Sequence, residues 1–282
     1  MNFRQVNKKI KTVGNVKKIT NAMQMVSSVK MRKAQKIALE GREYRDVLTH
    51  VLKKVMSDSD VVQSLDLPWL VGTDGDRTLY ILITSNKGLC GSFHSNLFKH
   101  FFHTVDMKNA DFITAGEKGG KFVTLLNGHI LADFSQHMPF TSNVSAIFSM
   151  IDDAYATGKY KSVVLMYNKF ISSMQSDPTS LELLPVGNIS DESTDLSSSY
   201  TIEPSVEEVL KPLLADYIKE QIRAAMEDSE AAEHSARMMA MKSATDNAND
   251  LVHEFTLLRN KLRQAQITNE LLDMIAAQES SS

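Results

Sequence analysis

The segment LLADYIKEQIRAAMEDSEAAEHSARMMAMKSATDNANDLVHEFTLLRNKLRQAQITNELLDMIAAQESSS, Leu213–Ser282, contains neither glycine nor proline. The last Gly of the chain is Gly187 and the last Pro is Pro212. As one helix at ~1.5 Å per residue the segment extends ~105 Å, far beyond an ordinary globular helix. Met238, Met241, Thr245, Ala248, Val252 and Phe255 recur at alternating steps of three and four. That mean spacing near 3.5 is the seam of a coiled coil. Ala236, Ala240, Ala244 and Ala248 add a ridge of small residues that admits a close neighbour.

The other end carries a matching pattern. Before Pro68 only Gly14 and Gly41 interrupt a helical texture. Apolar or small residues recur at Val6, Ile10, Val13, Val16, Ile19, Met23 and Val26, and again at Ile37, Gly41, Tyr44, Leu48, Val51 and Val55. Gly41 costs about 1 kcal/mol inside a helix, but on a seam it allows close approach. Two long heptad-like segments at opposite ends of one chain pair most simply with each other, antiparallel. The expected fold is α/β plus long helices: an antiparallel coiled coil of N- and C-terminal helices with an inserted Rossmann-like α/β domain. The expected divisions are a first helix over 1–60, a central domain over 72–198 and a last helix over 200–282.

Between the helices the texture changes. Thr78–Thr84 (TLYILIT) reads as a buried strand, with further strands at Asp111–Ala115 and Ser162–Asn168. Ser95–Val105, Glu117–Leu126 and Val144–Thr157 read as helices. Such alternation argues for a largely parallel sheet. Lys169–Met174 and Ser180–Pro185 are expected to form a hairpin around Asp177 and Pro178, and Asn188–Ser199 a loop.

Charge divides unevenly along the chain. Residues 1–56 hold fourteen Lys or Arg against three acids, while the whole chain is −3. The first segment is therefore +11 and the remainder −14, which marks a basic arm meeting an acidic partner or nucleic acid. No apolar run is long enough to span a bilayer. A basic, acid-poor start also resembles a transit peptide. The helical pattern running unbroken from Val6 past Val55 argues instead for a mature cytoplasmic start.

Little in the sequence points to an active site. Ser85–Ser92 (SNKGLCGS) follows the first strand and has the placement of a phosphate-cradling turn. It fits neither the dinucleotide nor the P-loop pattern, and Gly116–Lys121 (GEKGGK) misses the P-loop spacing by one residue. Cys90 is the only cysteine, so no internal disulfide forms, and no sequence cue supplies a base to activate it, which leaves a histidine brought near by the fold as the open alternative. The histidines lack metal-ligand spacing. No catalytic residue, cofactor or metal is expected. The alternatives are a basic nucleic-acid-binding coiled coil and a Rossmann-like enzyme with helical arms. Against the first, the only aromatics before Trp69 are Phe3 and Tyr44, a poor supply for base stacking.

Specific motifs narrow the choice. Lys18–Gln35 (KITNAMQMVSSVKMRKAQ) resembles the N-terminal signature of the γ subunit of F-type ATP synthase. Ala232–Asn247 (AEHSARMMAMKSATDN) and Asn260–Leu271 (NKLRQAQITNEL) resemble its C-terminal signature. Ser85–Gly91 resembles its central TSxxGLCG turn, and Tyr200–Leu210 (YTIEPSVEEVL) its approach to the last helix. The two helical stretches that carry the resemblance, roughly 3–56 and 200–277, total about 132 of the 282 residues, and the motifs occur in the family's order. Two departures stand out: Ser92 replaces a second glycine after Gly91, and a single cysteine excludes the dithiol switch of chloroplast members.

The resemblance implies a non-catalytic central shaft. Its partners would be three α and three β subunits, the ε subunit and the membrane c ring, with no nucleic acid. Its place would be peripheral, on the cytoplasmic side of a bacterial plasma membrane. It also implies partner contacts for Met23, Lys30, Arg32, Lys33, Tyr200, Glu203, Arg237, Arg263, Gln264 and Thr268, with the basic helix suited to an acidic loop of β. Within the chain, Glu227, Asp228, Glu230 and Glu233 are expected opposite Lys30, Arg32, Lys33 and Lys36, with the register open by about a heptad.

Overall fold

The computed structural model describes residues 2–56, 67–136, 138–186 and 203–280, so the expected loop Asn188–Ser199 lies outside the described residues. Two helices dominate the secondary structure: α1, Phe3–Met56, and the last helix, Val206–Ser280. Between them come α2 (Pro68–Val71), β1 (Arg77–Ile83), α3 (Phe93–Thr104), β2 (Ala110–Ala115) and α4 (Glu117–Leu125). Next follow β3 (His129–Asp133), α5 (Val144–Ala156), β4 (Tyr160–Phe170) and β5 (Ser176–Leu184), and the last helix is α6.

The chain resolves into two compact units. One holds Met1–Ser28 with Arg237–Ser282, and the other holds Val29–Ala236. In the first, Thr245 Oγ1 lies 2.8 Å from Thr20 Oγ1, whose own proton goes to the Lys17 carbonyl. Lys9 Nζ stands 5.5 Å above the Phe255 ring. Residue 20 against 245 and residue 9 against 255 is an antiparallel pairing.

In the second unit the sheet order is β3-β2-β1-β4-β5, parallel except for β5. Strand alternation sends Leu79, Ile81 and Ile83 to one face and Tyr80 and Leu82 to the other. The first face packs on α5 through Ile147, Ile151 and Tyr155, and on α6 through Leu214, Ile218 and Ile222. Leu52 and Val55 at the end of α1 join the same core. The second face is covered by Leu97 and Phe101 of α3 and Val123 of α4. Both faces are thus dry, which is why the inner strands read as continuous apolar runs.

Three expectations are corrected. The hairpin turn is Ile171–Gln175, while Asp177 and Pro178 lie within β5, Pro178 paired with Asn168. Proline is tolerated there because β5 is an edge strand with one side unpaired. The strand β3 carries only a weak apolar pattern and was not expected. The third correction concerns the α1 seam. Its buried and half-buried positions run Thr20, Gln24, Ser27, Met31, Ala34, Ala38, Gly41, Arg45, Leu48, Leu52 and Val55, in strict steps of four and three. Val16, Ile19, Val26, Ile37, Tyr44 and Val51 are exposed, Ile19 by 60%. Val6, Ile10, Val13, Met23, Gly41, Leu48 and Val55 of the expected stripe do turn inward, whereas the six exposed members lie off the seam, most of them one residue, ~100°, round the helix from it. From Thr20 to Arg45 the seam side chains other than Met31 are small or polar, and toward the end of α1 they are Leu48, Leu52 and Val55.

Candidate partner-contact surface

The βα turn after β1, the one place that suggested a ligand cradle, is built shut. In an open α/β sheet the crevice lies at the C-terminal ends of the strands where the order reverses, here between β1 and β4. Asn168, at the end of β4, is buried and donates from Nδ2 to the Phe93 carbonyl at 3.1 Å. Cys90 and Phe93 pack there against Ala232 of α6, with Phe170 and Ala236 beside them.

The N–H groups at the start of α4 are also taken. Glu117 N donates to Asn86 Oδ1 at 2.8 Å, Lys118 N to the Ser85 carbonyl at 3.2 Å, and Gly119 N to Thr84 Oγ1 at 2.9 Å. Gly116, at φ +112, brings that turn so close to β1 that an added Cβ would sit 2.5 Å from the Thr84 carbonyl oxygen. A helix start capped this fully by its own chain has no donors left for a phosphate.

Ser85 and His94 do not form a nucleophile and base. Ser85 Oγ gives its proton to the Lys87 carbonyl at 2.8 Å, so at 3.0 Å from His94 Nε2 it accepts. Cys90 is 2% exposed. Its thiol is expected to resist alkylation in the native chain and to react at the rate of unfolding. Rapid labelling by iodoacetamide under native conditions would contradict this packing.

The residues implied as partner contacts divide by exposure. Lys30, Arg32, Lys33, Glu203, Arg263, Gln264 and Thr268 are exposed, and Met23 is half-buried. Tyr200 lies outside the described residues. Arg237 is a correction in degree: at 7% exposed it is a buried side chain with almost no surface to offer a partner. Thr268 Oγ1 donates to the Gln264 carbonyl one turn back at 2.9 Å, placing the two residues on one face.

Every residue from Arg263 to Ala276 is exposed, including Ile267, Leu271, Leu272, Met274 and Ile275. An apolar stretch left unburied at a helix tip is out of keeping with a free-standing chain. A second feature of the same kind is the outward stripe on α1, where Val16, Ile19, Val26, Val29, Ile37, Tyr44, Val47 and Val51 run beside exposed Lys17, Lys18, Lys30, Lys33 and Lys36. The longest series of exposed apolar side chains are therefore on the two helices, while Leu125 and Met174 are exposed singly in the central domain.

A family model described as ATP synthase matches residues 2–280. The chain belongs to the ATP synthase γ family. It is 34% identical to the ATP synthase gamma chain of Psychrobacter sp. (strain PRwf-1) over 287 aligned positions, covering 97% of each. To that of Geobacter sp. (strain M21) it is also 34% identical, covering 99% of this chain and 98% of the relative. Among solved structures it resembles a chain of the central stalk and c ring of the Tetrahymena thermophila mitochondrial ATP synthase. That match has a TM-score of 0.62 and 25% identity, over 80% of this chain and 99% of the other. A chain of the Euglena gracilis mitochondrial ATP synthase shares the fold at a TM-score of 0.69 and 17% identity, over 99% and 94%. Membership in this family displaces the nucleic-acid-binding alternative. Among the described residues no helix is long and apolar enough to cross a membrane.

The internal ion pairs follow the expectation only in part. Glu230 lies 3.7 Å from His234 and is held below its usual value by His234 first, then by Lys30 and Lys33. Glu230 thus faces two of the predicted lysines. Glu227 meets Arg45 instead, and Asp228 faces Lys169, Arg45 and Arg42.

A stronger cluster sits at the base of the sheet. The carboxylate of Asp111 is 1% exposed and lies between Arg77 Nε at 3.1 Å, Lys159 Nζ at 2.9 Å, Tyr160 Oη at 2.7 Å and His129 Nδ1 at 3.2 Å. Burial pushes its carboxyl up, but hydrogen bonds from Arg77, Lys159 and Tyr160 outweigh this and hold it well below the usual carboxylate range. It joins the starts of β1, β2, β3 and β4 and is structural in kind. No sequence spacing announced it, because its members are separated by up to 83 positions (77 to 160) and meet only through strand order.

Proposed function

We propose that the chain is the rotating central shaft of an F-type ATP synthase, coupling proton-driven rotation of a membrane c ring to conformational change at the catalytic β subunits. It makes and breaks no bonds itself. Its partners are α and β subunits, three of each, with ε and the c ring, and it acts as a peripheral protein on the cytoplasmic side of a bacterial plasma membrane. The observation that carries this reading is the unburied helix tip, Arg263–Ala276.

A lone apolar helix end needs a surrounding surface. An apolar sleeve suits a turning part, since non-directional contact has no preferred angle. The exposed lysines of α1 supply charge for an acidic loop of β, and the outward apolar stripe beside them gives the shaft unlike faces. A shaft with unlike faces favours different conformations in three otherwise equal sites, which is all that coupling requires of it.

The test is reconstitution. Combined with α and β subunits, the chain is expected to form a stable complex and raise ATP hydrolysis well above that of α and β alone. No complex, or a complex with unstimulated hydrolysis, would overturn the proposal.

A further inference from the structure

Between Met31 and Leu48 the seam of α1 is Ala34, Ala38, Gly41 and Arg45, and the buried apolar or small positions of α6 over 225–232 are, Met226 apart, Ala225, Ser229, Ala231 and Ala232. Alanine, glycine and serine knobs differ little in size. Apolar packing along such a stretch distinguishes one helix register from the next only weakly. Arg45 is the exception. Its side chain runs back along its own helix, and Nη2 donates to the Ala38 carbonyl at 2.8 Å. It passes directly over Gly41, where an added Cβ would stand 2.7 Å from Nη1. From there Nη1 reaches within 3.6 Å of Glu227 Oε2 on α6, with the two side chains 19% and 9% exposed. Among the described residues neither Nη1 nor Oε2 has a hydrogen-bond partner.

We propose that Arg45 and Glu227 are a positioning pair that sets the register of α1 against α6, with Gly41 as the socket that admits the guanidinium. A pair at 3.6 Å, too long for a hydrogen bond, does not repay the burial of two charges. The acid records this cost. Burial pushes Glu227 up, and Arg45 and Arg223 pull it back only in part, while Glu220 and Asp228 push further. A raised acid favours the protonated form in the fold, so its contribution to stability falls as pH rises through the folded value. At neutral pH the pair therefore costs stability, and what it supplies in return is discrimination: a shift by one turn leaves both charges buried and apart. Buried polar groups on coiled-coil seams have this role in general. The pairing itself needs only the chain. Its use, to hold the outward stripe of α1 at one angle, rests on the shaft reading.

The experiment is a spin-label distance measurement on the full chain, with labels at the exposed positions Glu43 and Asp216 in a Cys90→Ala background. The parent is expected to give one narrow distance. With Arg45→Leu and Glu227→Met together, the distribution is expected to split, the second component displaced by ~5 or ~10 Å for one or two helical turns. The thermal midpoint of that double variant is expected to equal or exceed the parent's. Gly41→Ala keeps both charges but closes the socket, and it too is expected to split the distribution. Should the double variant not fold, Gly41→Ala decides alone. A single unchanged distance in these variants would overturn the proposal, and a lowered midpoint with one distance would make the pair an ordinary stabilising contact. The measurement involves no α or β subunit, so its failure is separable from failure of the shaft reading.

Discussion

Replacing Asp111 by alanine is expected to destabilise the sheet unit by ~2–3 kcal/mol. Removing one partner of a buried ion pair costs ~3–5 kcal/mol because the other charge stays behind unpaired. The lower figure follows from the side chains left behind: Lys159 and His129 are about half or more exposed and turn to water, and only Arg77 and the buried Tyr160 hydroxyl are held in place. The pH dependence has a definite sign. The folded carboxyl is depressed, so its stabilisation is complete above the unfolded value of ~4 and is lost as pH falls through the folded one. Urea unfolding followed from pH 7 down to pH 3 is expected to show a declining stability in the parent. Asp111→Asn is expected to be less stable at pH 7 and to have a flatter acid limb. Equal stability of parent and Asp111→Ala at pH 7 would show that the cluster contributes nothing.

The second large effect is expected at the tip of α6. Changing Arg263 and Gln264 together to alanine removes two exposed polar side chains from a helix in which alanine is well tolerated. Stability is expected to change by less than ~0.5 kcal/mol, as for surface positions in general. Coupled turnover of the reconstituted complex is expected to fall tenfold or more. The reason is that hydrogen bonds to charged groups are each worth ~1.5–3 kcal/mol, and every 1.4 kcal/mol is a factor of ten when the bond matters at the rate-limiting step. A variant with parental turnover would remove these two residues from the contact surface. A variant that melts early would mean instead that the tip is held by the chain itself, against its exposure from Arg263 to Ala276.

The two predictions differ in what could have been foreseen. Arg263 and Gln264 lie in a continuous motif, NKLRQAQITNEL, and a motif is visible one residue after another. The Asp111 cluster draws on the starts of four strands, and nothing in the order Arg77, Asp111, His129, Lys159, Tyr160 says that they converge. The same contrast runs through the long helices. Their existence follows from the scarcity of Gly and Pro, with only Gly14 and Gly41 in α1 and Pro212 in the first turns of α6, and from the 3.5 spacing, both local properties, and their antiparallel sense from their lying at opposite ends of one chain. Which face of α1 turns inward does not follow. Apolar residues lie on two adjacent stripes, and the one with larger side chains is outside. An isolated pattern cannot distinguish a stripe that packs on the chain's own partner helix from one left exposed for another molecule.

For the ion pairs, composition set the sign and tertiary placement chose the partner. A basic first helix and an acidic segment on the last were apparent, but Glu227 meets Arg45 rather than the lysines of residues 30–36. The vacancy over Gly41 gives a long side chain a path along its own helix that no spacing rule includes.

What the amino-acid order alone determined is therefore the kind of molecule: two gap-free helices from opposite ends, a strand–helix alternation between them, and motifs that name the family. Each depends on neighbours within a few turns or a few residues, where backbone geometry fixes the period. The tertiary structure alone decided which α1 stripe is the seam, how the turn Ser85–Ser92 is filled by Phe93, Asn168 and Ala232, and which cations gather on Asp111. Those depend on distances between segments remote in sequence. Such distances arise only when strand order and helix phase are set together by burying one common core.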